Sequence, residues 1–329
     1  MRLDPDNASS GNPEQSRPER DSPEQQGPRL HGPGADGPGP GDDPKPGPAA
    51  PAAERKPSRA GRNLPVAIGV GLLMGGVAIL TLFTVKATFL LYVAALVGIA
   101  LWELSRALDS RGIHLSLLPV AAGGVAMLTL AYWEGDRDAL AALAVTFVVL
   151  LAWRLRGGVN GYVRDVTANV FTLAYMPLMA LFVALMLARP DGDRRALLFL
   201  IVTVCSDVGG YFAGILFGRH PMAPAISPKK TWEGLAGSVA FCLAGGAVGL
   251  TLLLHGQLWQ GLVLGAAAVA AATLGDLAES MIKRDLAIKD MGTVLPGHGG
   301  ILDRIDSLLI MAPVVWLLLA VFIPASRGG

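Results

Sequence analysis

The run WQGLVLGAAAVAAATLGDLAES, residues 259–280, is almost wholly apolar, and it breaks into MIKRDLAIKDMGTVLPGHGGILDRID, residues 281–306. A hydrocarbon core about 30 Å thick is crossed by about 20 helical residues, so the first part reads as a transmembrane helix. The second part is the densest run of charge after the N-terminal tail, and a further apolar run, 301–323, follows it. Charge runs ordinarily lie on solvated faces. Here the charges begin inside an apolar helix, at Asp276, where they are costly and point to function.

Working outward, apolar runs of similar length recur from Leu64 onwards. The spans read as 64–84, 87–104, 115–133, 138–154, 168–188, 195–217, 234–255, 259–280 and 301–323. The fold class expected is therefore an all-α polytopic integral membrane protein with about nine transmembrane helices. Composition agrees: 52% of residues are hydrophobic, only 16% are charged, and the mean hydropathy is +0.48, a combination foreign to most soluble domains. A net charge of +1 offers no field for nucleic acid. Cys205 and Cys242 lie within apolar runs and suggest neither a disulfide framework nor a zinc site.

Residues 1–62 contain no aromatic, Ile or Val residue and are dense in Pro, Gly and polar groups. Such a segment buries too little apolar surface to offset chain entropy and reads as a disordered tail ahead of a membrane domain at 63–329. Lys and Arg concentrate in one set of loops, including Arg106, Arg111, Arg154, Arg164, Lys229, Lys230, Lys283 and Lys289. The other set holds only Lys86, Arg137, Arg189, Arg194, Arg195 and Arg327. By the positive-inside rule the tail and the charged stretch face the cytoplasm.

Within the charged stretch, Asp276, Ser280 and Lys283 share one helix face, and Asp303 and Asp306 lie one turn apart on the next helix. The Gly297-His-Gly-Gly300 turn between them lets backbone N–H groups approach an anion. Carboxylates opposing several cations suit a hard divalent metal beside phosphate oxygens. Two further features stand upstream. Asp207 lies deep inside the sixth span, where a carboxylate is a functional candidate by default. Ser227-Pro-Lys-Lys-Thr-Trp-Glu-Gly234 sets two lysines and two hydroxyls before a new helix, which suits phosphate, although Thr231 is equally a plain N-cap. Gly210, Gly214 and Gly218 read as close helix packing. His114, His220 and His255 read as interfacial.

The pattern S-x2-KR-x4-KD-x5-PGHGG-x2-DR-x-D from Ser280 to Asp306 resembles the signature of the phosphatidate cytidylyltransferase family, and the SPKKTWEG run resembles a second motif of that family. The resemblance extends over roughly residues 64–323. It implies that CTP and phosphatidate react to CDP-diacylglycerol and pyrophosphate, at a plasma membrane and with the site facing the cytoplasm. It implies Mg²⁺, with room for a second cation, and allows a homodimer for which no residue argues. On this reading Asp276, Asp303 and Asp306 are the metal ligands, and Asp207, Lys283 and Arg284 join Asp276 and Asp303 as catalytic groups. Ser227, Lys229, Lys230 and Thr231 bind the triphosphate. Ser280, Lys289, Asp290, His298 and Arg304 complete the substrate-binding set. The rivals are a cytidylyltransferase acting on another phosphorylated lipid, and a transporter using Asp207 and Asp276 as an ion path; the latter lacks the internal repeat common to transporters.

Overall fold

A computed structural model describes residues 64–292 and 299–324. The expected tail, residues 1–62, and His298 lie outside the described residues. Ten α-helices follow in order: α1 (Leu64–Thr84), α2 (Lys86–Asp109), α3 (Leu117–Trp133), α4 (Asp136–Leu155), α5 (Tyr162–Tyr175), α6 (Pro177–Leu187), α7 (Gly192–Phe217), α8 (Trp232–Leu254), α9 (Leu258–Asp285) and α10 (Leu302–Phe322). A small antiparallel hairpin, β1 (Pro221–Ala223) and β2 (Ser227–Thr231), stands between α7 and α8, with Pro221 opposite Thr231 and Ala223 opposite Ser227. Among the described residues, seven helices are long and apolar enough to cross a membrane, with α5 and α6 counted as one; α3 and residues 69–84 of α1 are shorter apolar helices. The chain is a multi-pass membrane protein.

The run expected as one span at 168–188 is two helices. Pro177 has no N–H to continue the ladder and disfavours helical backbone in the residue before it; Met176 leaves the helix at φ −109°, ψ −70°, and Pro177 opens α6. The helix also begins earlier than expected, at Tyr162, because its first turns carry a polar face turned inward. Asp165, 0% exposed, accepts from Arg154 at 2.9 and 3.0 Å, from Arg164 at 3.3 Å and from the His114 backbone at 3.3 Å. Asn169 accepts from the Ser116 N–H at 2.7 Å and donates to the His114 carbonyl at 3.2 Å. The α2–α3 connection is thereby clamped onto α5.

α6 is the axis of the bundle. It contacts α2, α3, α4, α5, α7 and α10, and Ala184, Met186 and Leu187 are essentially unexposed. A helix apolar on every side belongs at such a centre. α4 is the opposite case: Leu140, Val145, Val148 and Leu155 face outward, as they can only where the surroundings are apolar.

The second half of the chain is packed backbone to backbone. A methyl at Gly209 would lie 2.6 Å from the Gly237 carbonyl oxygen, and one at Gly275 would lie 2.7 Å from that of Asp306. Small residues let helices approach this closely, so α7, α8, α9 and α10 form one tightly joined unit. Gly210, Gly214 and Gly218 do serve packing, against Ser238, Gly234 and Thr231 of α8 and its cap.

The two loop sets gather at opposite ends. Lys86 donates to the carbonyls of Arg189 and Pro190, and Arg195 to those of Leu319 and Ile323. At the other end Arg111 donates to Leu286 O, Arg284 to Ile226 O and Arg164 to Gly112 O.

Candidate active site

The hairpin is fixed to the start of α8 by its own side chains. Thr231 is extended (φ −120°, ψ 153°), and its hydroxyl accepts from the Gly234 N–H at 3.1 Å, as an N-cap does. Glu233 reaches back to the N–H groups of Arg219 and His220 at 3.1 and 3.2 Å, and its other oxygen meets His220 Nδ1 at 2.6 Å. Held this way, β2 aims Lys230 at Asp276 of α9, with which it forms an ion pair. Lys229, Lys230, Thr231, Ser206, Asp207, Tyr211, Ser238 and Asp276 line a polar cavity of about 260 Å³. Two ammonium groups at a helix N-terminus are a combination that attracts anions.

Across α9 the signature forms a second cluster. Lys283 bridges Glu279, one turn earlier, and Asp303 of α10, the latter at 2.9 Å. Asp303 also accepts from the backbone of Met291 at 3.1 Å and of Gly300 at 2.7 Å. It thus ties together the chain on both sides of residues 293–298. Glu279 is 2% exposed, and its second oxygen has no partner among the described residues. Asp207, Asp276, Asp303, Arg304 and Asp306 share a cavity of about 400 Å³.

A third cavity, about 740 Å³, runs between α1, α2, α6, α7 and α10 and is lined mainly by apolar side chains, Met74, Phe89, Leu96, Phe199, Val204 and Leu308 among them. Asp207 and Tyr211 line all three spaces, and Arg304 lines the acidic and the apolar one. A lysine-bearing polar cavity, a group of carboxylates and an apolar channel therefore meet at one turn of α7.

Residues 65–322 match the model described as Cytidylyltransferase family. The chain belongs to that family. Among its relatives, the phosphatidate cytidylyltransferase of Mycobacterium leprae is 41% identical over 277 residues, which is 79% of this chain and 89% of the relative. That of Mycobacterium tuberculosis is 40% identical over 282 residues, 82% of this chain and 85% of the relative. That of Staphylococcus saprophyticus is 32% identical over 216 residues, 64% and 78% of the two chains. Membership leaves the transporter reading without support.

In this cytidylyltransferase-family chain the cavities bring together Asp207, Lys229, Lys230, Thr231, Asp276, Asp303, Arg304 and Asp306. Ser227 lies at the far end of β2, paired with Ala223, and does not line them. Lys283 stands just behind, on Asp303, while Arg284 turns to the hairpin and bonds Ile226 O at 3.3 Å. Ser280 lies on α9 between these groups, and Lys289 and Asp290 are exposed beyond its end. Sequence reasoning passed over Glu279 and Glu103, both buried carboxylates. Each carried a signal: Glu279 is three residues after Asp276 and four before Lys283, and Glu103 is an acid at the end of an apolar run.

The carboxylate oxygens around the acidic cavity are donors suited to a hard divalent cation. Ammonium groups stand on Asp276 and Asp303 where such a cation would sit. Among the described residues, no three His, Cys, Asp or Glu side chains are already gathered at ligand distance.

Proposed function

We propose that the chain transfers the cytidylyl group of CTP to phosphatidate, giving CDP-diacylglycerol and pyrophosphate. The observation that carries this is the junction at Asp207, where a lysine-bearing polar cavity, an acidic cavity and an apolar groove open on one another. A substrate set of one soluble polyanion and one phosphorylated lipid needs those three environments together.

In the reaction a phosphatidate oxygen attacks the α-phosphorus of CTP; a new P–O bond forms, and the bond to the pyrophosphate oxygen breaks. That oxygen already carries charge and needs no strong base, so the task is to bring two anions together and to stabilise charge on the leaving group. Lys229 and Lys230 take the triphosphate in the polar cavity, with Thr231 and Ser227 ordering the strand that carries them. Lys283, Arg284 and Lys289 stand on the signature side and offset charge on phosphatidate and pyrophosphate, joined by Arg304 at the mouth of the groove. Asp276, Asp303 and Asp306 would hold Mg²⁺, with Asp207 beside them, and the ion would neutralise phosphate charge. Asp303 already accepts from Lys283, Met291 and Gly300, which leaves about one of its four lone-pair sites for the metal. The acyl chains of the lipid remain in the apolar groove.

With α1 and α3 counted among the spans and α5–α6 as one, the protein crosses a plasma membrane nine times. The end that gathers the excess of Lys and Arg, with the hairpin and signature, faces the cytoplasm, where CTP is found.

The test is pyrophosphate release and lipid product from the purified, detergent-solubilised protein given CTP, phosphatidate and Mg²⁺, with dATP and EDTA as controls. Metal-dependent formation of CDP-diacylglycerol is the expected result. Release with CTP and a different phosphorylated lipid, but none with phosphatidate, would overturn the acceptor assignment.

A further inference from the structure

Glu103 lies on α2, 199 residues from the contact it makes with the signature. It is 1% exposed, and its Oε2 accepts the Leu302 N–H at 3.0 Å. Leu302 is the first residue of α10, the helix that carries Asp303 and Asp306. The backbone on both sides of residues 293–298 closes on the same carboxylate. A methyl at Gly300 would lie 2.5 Å from Glu103 Oε2, and one at Gly292 would lie 2.8 Å from its Cγ. Two turns further on, just past the end of α2, Arg111 donates Nε and Nη2 to Leu286 O at 2.9 and 2.5 Å, at the end of α9. α2 and the residues that follow it therefore hold the signature at two points.

Burying a carboxylate is costly, so stability alone is a weak reason for the acid of Glu103. Its Oε1 has no hydrogen-bond partner among the described residues, and a buried acceptor without a partner is a cost that an apolar side chain of similar size avoids. What the acid supplies is direction. The first N–H groups of a helix have no partner within it, and an acceptor fixed on α2 that takes the Leu302 N–H sets where α10 begins.

We propose that Glu103 is a positioning residue for cytidylyl transfer, holding the first turn of α10, and with it Asp303 and Asp306, in register with Lys283 of α9. The proposal rests on the reading of Asp303 and Asp306 as active-site groups. Misplacement of such groups by about 1 Å costs on the order of 100-fold in rate, so a remote anchor can control turnover without touching substrate.

The experiment compares Glu103→Met, Glu103→Gln, Glu103→Asp and Asp303→Ala in detergent, reading Tm, kcat and the KM for CTP. Met fills the space without an acceptor: its Tm stays level or rises, kcat falls at least about 10-fold, and the CTP KM moves less than about threefold, since the β2 lysines do not touch Glu103. Gln keeps an oxygen for the Leu302 N–H and retains most of kcat. Asp withdraws the acceptor and loses kcat as Met does. If Glu103→Met retains kcat while Asp303→Ala loses it, the positioning role is overturned and the site reading stands. If Asp303→Ala itself turns over normally, the site reading fails first. A kcat that follows Tm through the series reduces Glu103 to a structural residue, and should Met not fold, equal rates for Gln and Asp overturn the proposal.

Discussion

Asp165 and Asp276 are both acids facing a cation in the interior of a helical bundle, and they are held in opposite ways. Asp165 is sealed, with two arginines and a backbone N–H on its oxygens. Asp276 pairs with Lys230 and opens onto two cavities. A saturated buried charge has no capacity left for a ligand and serves to join segments. A charge with one partner and open space beside it can exchange that partner. Counting acids in apolar helices would rank the two alike; only their surroundings separate a closed clamp from an acid with open space beside it.

The sharpest way to break that contrast is to neutralise both. Asp276→Asn should lower product formation by at least about 10³-fold, while the protein still purifies as a folded species with unchanged Tm. Asp165→Ala should do the reverse: about 3–5 kcal/mol of stability is lost because Arg154 is left buried without its partner, and activity per folded molecule survives. Equal losses of activity from the two would erase the distinction. Lys230→Met sharpens it, since the lysine that leaves Asp276 to meet a phosphate should cost about 10–100-fold in kcat/KM for CTP, read at saturating phosphatidate. The smallest effect is expected at the other end of the bundle. Burial would raise the Asp191 pKa, but Arg195, 2.8 Å away, brings it below the ordinary carboxylate range. The lowered value means that this pair supports folding above a pH of about 3.9 and ceases to as pH falls further. Asparagine keeps an oxygen for Arg195 Nε, and Asp191 is itself about a third exposed, so Asp191→Asn should cost on the order of 1 kcal/mol at neutral pH, measured by thermal unfolding, with activity intact.

How much of this was readable beforehand follows the same division. Apolar run length located α1, α7, α8, α9 and α10 within a few residues, because lipid imposes one requirement on every residue of a span. The polar first turns of α5 defeated that criterion: Arg164 and Asp165 fell outside the expected span because the segment they clamp, residues 110–116, is adjacent in space and not in sequence. The hairpin was equally hidden, since Ser227–Thr231 becomes a strand only by pairing with Pro221–Ala223. In the site, residues spaced by helical turns or carried in a dense motif were visible. Glu103, whose meaning comes from a contact 199 residues away, was not.

The junction at Asp207 also has a kinetic side. On the proposed function its polar cavity would be reached by a molecule diffusing in three dimensions, and the apolar groove would be filled by one diffusing within a sheet. Two concentrations of different kinds then set the rate: moles per volume for the nucleotide, and mole fraction in the surrounding amphiphile for the lipid. Adding detergent at fixed total lipid dilutes the second without touching the first, so the two saturation curves can be moved independently in one tube.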